Sequence, residues 1–198
     1  MARRADTATK SRIVEAAWQL FYEKGFDHTS VEEIVARSGT SKGSFYHYFE
    51  SKDALLGSLA YLFDEKYAEL EKQIDPAAGS MELLLWLNRE LFSMIETSID
   101  LDLLGGLYST QLVTKGQREL MDRNREYYRL LRRIVAAGQE KGELTAELTT
   151  GEIVRLYAMC ERAMLYDWCL SQGEYSLRDQ AALVMPRLLQ GIKGEKSL

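Results

Sequence analysis

A chain of 198 residues with 46% hydrophobic content can bury one medium core or two small ones, at an ordinary globular composition. Its net charge of −5 argues at first against a nucleic-acid partner. No stretch approaches the roughly 18 apolar residues of a membrane span, and the N-terminus lacks a signal peptide's apolar core, so a cytoplasmic protein with no membrane partner is expected. Only Pro76 and Pro186 interrupt the chain and β-branched runs are nearly absent, so the expected fold is all-α.

The first predicted helix runs from about Thr7 to Lys24, with Ile13, Ala17, Leu20 and Phe21 inward and Gly25 as its stop. Thr29 and Ser30 open a second. Glu32 and Glu33 stand three residues after them, so either frame makes a capping box. Val31, Ile34 and Val35 give this helix one apolar face. Gly39 ends it, because glycine enters the left-handed conformation cheaply. Ser41 caps a third helix carrying Lys42, Ser44, Tyr46, His47 and Tyr48. Ser51 caps a fourth, expected from Lys52 to about Ile74, with Leu55, Leu59, Leu62, Phe63, Tyr67 and Leu70 at helical spacing. Its length makes it the natural lever to the rest of the chain. Asp75-Pro76-Ala77-Ala78-Gly79 is the clearest break. Ser80 caps a fifth helix to about Thr97, with Leu84, Leu87, Leu91, Met94 and Ile95 on one side. Asp100 opens an irregular sixth that contains Gly105-Gly106 and frays before Lys115-Gly116. A long seventh is expected from Gln117 to Lys141, stopped by Gly142. Thr149-Thr150-Gly151-Glu152 is a second capping box, starting an eighth helix to about Gln172. Gly173 breaks it, and Ser176 with Asp179 starts a ninth that reaches Gln190.

The second and third helices with their glycine turn make a helix-turn-helix, whose second helix enters the DNA major groove. The charge distribution answers the objection from net charge. Residues 1–53 hold eight basic and eight acidic side chains, while residues 54–198 hold 17 and 22 and carry all of the −5. Near the N-terminus Arg3, Arg4, Lys10 and Arg12 face only Asp6, so this arm is either a solvated tail or a DNA contact. Lys42 and Lys52 flank the third helix.

The segment resembles the DNA-binding domain of the tetracycline-repressor (TetR) family. The resemblance rests on Ile13, Ala16, Ala17, Leu20, Phe21, Gly25, Phe26, Thr29–Ile34, Ala36, Gly39, Ser41–Gly43, Phe45, Tyr46, Tyr48, Phe49, Lys52 and Leu55. It implies an N-terminal helix-turn-helix domain over residues 1–51, and a larger helical domain for effector binding and dimerisation over 52–198. It further implies a homodimeric repressor on a palindromic double-stranded operator, with a small-molecule effector whose binding releases the DNA. A constitutive DNA-binding or protein-recruiting module without an effector is the rival.

Candidate DNA contacts follow from side-chain chemistry. Lys42 can donate to guanine N7 and O6, and Gly43 lets the backbone approach the groove. Phe45 and Phe49, four apart, should pack inward, which turns Tyr46 and His47 outward and leaves Tyr48 at the boundary. In the resembling family the Tyr at the position of Tyr46 touches a phosphate. Thr29, Ser41 and Ser44 sit at helix N-termini, where backbone N–H groups favour phosphate, and capping is compatible with that contact. Lys52 is a further phosphate partner.

In the second half Trp86, Met94, Tyr108, Tyr157 and Glu161 are the candidate effector contacts, though residues of these types in such helices are more often core or dimer interface. A buried Tyr needs a hydrogen-bond partner that a ligand can supply. Glu161 follows Tyr157 by four residues on one helical face, where it can favour a cationic ligand or pair with Arg155 or Arg162. Apolar stripes on the eighth helix (Ile153, Leu156, Tyr157, Cys160, Met164) and ninth (Leu177, Ala181, Val184, Met185, Leu188) divide between core and a four-helix dimer interface. Cys160 and Cys169 lie on opposite faces of one helix, roughly 13 Å apart along it, beyond disulfide reach. Cys160 is expected to be a buried small hydrophobe. His28 and His47 are the only histidines, and neither a metal-spaced Cys/His cluster nor a phosphate-binding glycine loop occurs, so neither enzyme activity nor a cofactor or metal is expected.

Overall fold

The computed structural model describes residues 2–113 and 118–194, with side chains from residue 8 onward. The side chains of Arg3, Arg4 and Asp6, and the expected helix boundary at Lys115-Gly116 and Gln117, lie outside the described residues. Those residues form nine α-helices and no strand: α1 (Ala2–Lys24), α2 (Val31–Ser38), α3 (Lys42–Tyr48), α4 (Leu59–Glu71), α5 (Ser80–Ser98), α6 (Leu101–Val113), α7 (Glu126–Glu140), α8 (Thr150–Leu170) and α9 (Leu177–Gln190). They group into two compact units, one of residues 1–60 with 102–120, the other of 61–101 with 121–198.

In the first unit α1 packs on α2 and α3. Ile13, Ala17, Leu20 and Phe21 of α1 meet Ile34, Phe45 and Phe49 in a closed core. The Trp18 indole donates to the Ser58 hydroxyl at 2.8 Å. The expected fourth helix begins instead as a 3-10 segment, Asp53–Ser58. Gly57 weakens helix propensity there, and the Ser58 hydroxyl donates to the Leu55 carbonyl, competing with regular α bonding. At its far end α4 stops at Glu71 rather than Ile74, tightened by bonds from Lys72 and Gln73 to carbonyls three residues back. Gly105-Gly106, expected to disorganise the sixth helix, lies inside a regular α6. A Cβ on Gly106 would stand 2.9 Å from Leu56 Cδ1, and one on Gly57 3.0 Å from the Glu119 carboxyl carbon. These glycines permit close packing rather than a break.

In the second unit α5 packs on α9 and α7, α7 on α8, and α8 on α9. Leu84, Leu87, Leu91 and Ile95 are buried, as the stripe on α5 predicts, while Met94 is half-buried. Ser80 does not cap α5 with its hydroxyl. Its amide donates to the Glu143 carboxylate, a cap supplied from the loop after α7. The seventh helix starts at Glu126, after a 3-10 turn at Glu119–Met121, and not at Gln117. Asp64 fixes this start, accepting from the Tyr127 amide at 3.2 Å and from Arg125 Nε at 2.9 Å. Thr149 with Glu152 forms the predicted capping box of α8, and the Ser176 hydroxyl caps α9 by accepting from Asp179 N.

Candidate DNA-binding interface and regulatory core

The helix-turn-helix is built by its caps. Ser30 is the N-cap of α2: its hydroxyl accepts from Glu33 N, and the Glu33 carboxylate accepts from the Ser30 amide at 2.8 Å. Hydrogen bonds from Lys24 and then from Ser30 bring the Glu33 carboxyl down to about 2. Gly39 stands at φ 61°, ψ 34°, the left-handed C-cap that an L side chain resists. Ser41 caps α3 by accepting from Ser44 N at 3.0 Å. The turn is further held by Arg37, whose two terminal nitrogens donate to Glu23 at 2.7 and 2.8 Å.

This frame sets the orientation of α3. Phe45 and Phe49 are buried, Tyr48 is intermediate, and Lys42, Gly43, Tyr46 and His47 are exposed, with Tyr46 at 55%. Ser41 is exposed and Ser44 half-exposed at the helix start. Lys42 is paired with Glu32 of α2, which lowers the Glu32 carboxyl and raises the Lys42 ammonium. The pair is solvated, so it orients Lys42 without holding it firmly.

Two expected contacts lie elsewhere. Thr29 is not a cap. It is 3% exposed, and its hydroxyl donates to the Gly25 carbonyl at 2.8 Å, so its side chain is closed to a phosphate. Lys52 is turned back onto Phe26, donating to its carbonyl at 2.6 Å with the ammonium 4.1 Å from the ring centroid. Both side chains brace the loop between α1 and α2. Among the basic residues near the N-terminus, Arg12 is exposed and Lys10 lies 5.7 Å from the Phe49 ring centroid.

The candidate effector residues do not form one cluster. Tyr108 is half-buried in the first unit, and the other four belong to the second. Tyr157 is wholly buried, but its hydroxyl donates to the Leu84 carbonyl at 2.8 Å; the partner expected from a ligand is backbone. Glu161 is buried among donors, Tyr127 Oη at 2.6 Å and Asn88 Nδ2 at 2.9 Å, rather than ion-paired with Arg155 or Arg162. Burial pushes its carboxyl above the usual range, against the pull of Tyr127, Asn88, Tyr157 and the Arg162 charge. Tyr67 adds a fully buried hydroxyl with no hydrogen-bond partner among the described residues, on a ring 5.0 Å from that of Tyr127. Trp86 stands apart from this core, in an open groove of about 800 Å³ between α5 and α9 whose lining also includes Asn88, Met185 and Pro186. Met94 lines no part of it.

The sequence reading missed Asn88 and did not join Tyr67 and Tyr127 to Glu161. The available signal was Asn88, a lone amide one turn after Leu84 on an otherwise apolar stripe. Cys160 and Cys169 are free and half-buried, not deep in the core, with burial pushing Cys169 up to about 11.

Residues 13–59 match the family described as bacterial regulatory proteins, tetR family. The transcriptional repressor DhaR of Mycobacterium sp. (strain GP1) is 28% identical over 149 residues, 73% of this chain and 74% of that protein. The uncharacterized regulator YuxN of Bacillus subtilis (strain 168) is 48% identical over 59 residues, 29% of this chain and only 20% of that protein. The crystal structure of Thermus thermophilus FadR, a TetR-family repressor in complex with lauroyl-CoA, superposes with a TM-score of 0.72 at 23% identity, over 94% of this chain and 96% of that one. Residues 13–59 are thus a DNA-binding domain of the tetR family of bacterial regulatory proteins, on a chain whose fold is shared with a TetR-family repressor along nearly its whole length.

Proposed function

We propose that this chain is a homodimeric repressor, released from a palindromic operator by a small molecule. Residues 1–51 read the DNA, and residues 52–198 hold the effector and the partner subunit. The observation that carries the reading is the outward face of α3, where Lys42, Gly43, Tyr46 and His47 are exposed opposite a buried Phe45 and Phe49. Lys42 reads a base edge, the Tyr46 and His47 side chains and the α3 N-terminus at Ser41 and Ser44 take phosphates, and Tyr48 supports them at the rim.

Dimerisation is supported by apolar surface on the last two helices. Leu170 is 64% and Leu183 50% exposed, and Leu156, Met159 and Tyr166 are exposed beside them, while Ile153, Tyr157, Met164, Leu177, Ala181 and Met185 are committed to the core. The acidic surplus of residues 54–198 disfavours contact of that part with the duplex and leaves binding to the charge-balanced first 53 residues.

We place the effector in the groove between α5 and α9. Trp86 offers aromatic surface there, over a floor that includes the buried Met185. Pro186 has no N–H, which leaves the Ala182 carbonyl without a helical donor in the same lining. The amide of Asn88 joins this groove to Glu161, so an occupant can shift the buried network. Lauroyl-CoA, bound by the Thermus relative, carries an apolar acyl chain of the kind this surface suits, on a polar, multiply phosphorylated coenzyme A. The test is selection of the full chain against a random duplex library, then anisotropy on the enriched sequence with a ligand panel. A palindrome with half-sites roughly 34–36 Å apart or somewhat more is expected, and an effector should lower affinity by about 1–3 kcal/mol. Enrichment of no sequence over bulk DNA would sink the DNA-reading claim. An operator that no panel member releases, Trp86→Ala behaving as the native chain throughout, would favour the constitutive rival.

A further inference from the structure

A second groove in the helical unit, of about 340 Å³, lies between α7 and α8 and shares only Met159 with the surfaces assigned above. Four arginines line it: Arg123 and Arg132 on the α7 side, Arg155 and Arg162 on α8. Among the described residues none of the four forms an ion pair with a carboxylate. The acids nearest in sequence are engaged elsewhere. Glu126 pairs with Arg129, Glu152 caps α8 at Thr149, and Asp122 accepts from the Asn124 amide. Glu161 is buried against Tyr127 and Asn88. The guanidinium hydrogen bonds that do form go to neutral oxygens: Arg132 to the Arg123 carbonyl at 3.1 Å, and Arg162 to the Tyr128 hydroxyl at 3.0 Å. Four guanidinium groups, of which only Arg162 acts on a carboxylate, the buried Glu161, therefore line one groove in a stretch, residues 54–198, that holds 17 basic and 22 acidic residues. Met121 and Met159 border the same groove and add polarisable apolar surface.

We propose that this groove binds a small molecule carrying two or more phosphate groups and an apolar portion. Guanidinium forks match phosphate oxygens bidentately, and several of them sharing one concave site favour a polyanion over a single carboxylate, which leaves most of their charge unmatched. The volume suits a small ligand or the head of a larger one. Arg155 and Arg162 lie beside the exposed apolar stripe of α8, and Met159 borders both, so the groove opens next to the proposed dimer face. The site does not depend on the operator reading, because direct binding reports on it.

The test is calorimetric titration of the full chain with lauroyl-CoA, coenzyme A and laurate. Lauroyl-CoA should bind, more weakly as salt rises, and at least tenfold more weakly to Arg132→Gln/Arg162→Gln. Coenzyme A should show the same dependence on the arginines, and laurate none. Since Arg132 and Arg162 are half-buried, the exposed pair Arg123→Gln/Arg155→Gln is titrated in parallel, with a thermal melt confirming its fold, and at least a threefold loss is expected. Failure of both coenzyme A compounds to bind the native chain, affinity within twofold of native in the exposed pair, or laurate depending equally on the arginines would each overturn the proposal. Operator affinity without ligand, measured on the same variants, should be unchanged, which separates a failure here from a failure of DNA recognition.

Discussion

Three side chains with sharply different surroundings bear distinct tests. Lys42→Ala should relax discrimination at one base pair per half-site, at a cost of roughly 1–3 kcal/mol, read from anisotropy on single-base operator variants. Equal losses on every variant would make Lys42 a phosphate contact. Tyr46→Phe should do what Lys42→Ala should not. It removes a hydroxyl that projects from an exposed ring, and it should weaken binding to all sequences alike by about 1.5–3 kcal/mol if that hydroxyl meets a charged phosphate oxygen. Glu161 tests the core. Burial raises its carboxyl above the unfolded value of 4.5, so the folded state holds the proton more tightly than the unfolded one. Its contribution to stability is then fully present below that value and is lost as the pH rises through the folded pKa. The melting temperature of the native chain minus that of Glu161→Gln should therefore fall as the pH is raised from 4 to 8. A difference that is flat or rises with pH would show that Tyr127 and Asn88 over-compensate the burial.

Among the elements, what was legible followed from local chemistry. Ser30-Glu33, Thr149-Glu152 and Ser176-Asp179 mark helix starts because each cap is complete within four residues of sequence. Phe45 and Phe49 orient α3 for the same reason: their spacing alone fixes the buried side. The misses lie where a distant residue decides. Nothing beside Ser80 announces that Glu143 will cap α5, nor does the sequence around Tyr127 announce Asp64. Gly105-Gly106 reads locally as a break, and only Leu56 explains why a helix needs no side chain at Gly106. Thr29 and Ser30 offered equivalent frames, which tertiary burial of Thr29 resolved. At this scale the turn itself makes a prediction. A Cβ at Gly39 would meet nothing within 4 Å, so Gly39→Ala has room, and its cost is the left-handed backbone alone, roughly 1–2 kcal/mol. Denaturant unfolding should show that loss, and a neutral substitution would mean the turn relaxes out of the left-handed region.

For the whole molecule, a repressor reading two half-sites needs two linked heads, because the second contact becomes intramolecular once the first has formed. Leu183→Glu, placed on the exposed face of α9, should shift the chain to monomer in sedimentation at micromolar concentration while helical circular dichroism is retained. Operator affinity should fall with it by more than tenfold. A dimer that survives both Leu183→Glu and Leu170→Glu would place the interface on another face. The seam between Leu56 and Gly106 has a consequence for engineering the protein. Residues 102–120 belong to the same compact unit as the helix-turn-helix, though more than forty residues of the other unit separate them in sequence. A graft that exchanges only the first 60 residues for those of another regulator would set a foreign side chain at position 56 against a glycine shaped for leucine. Transplanted specificity should need the two segments moved together, as a matched lock and its strike plate.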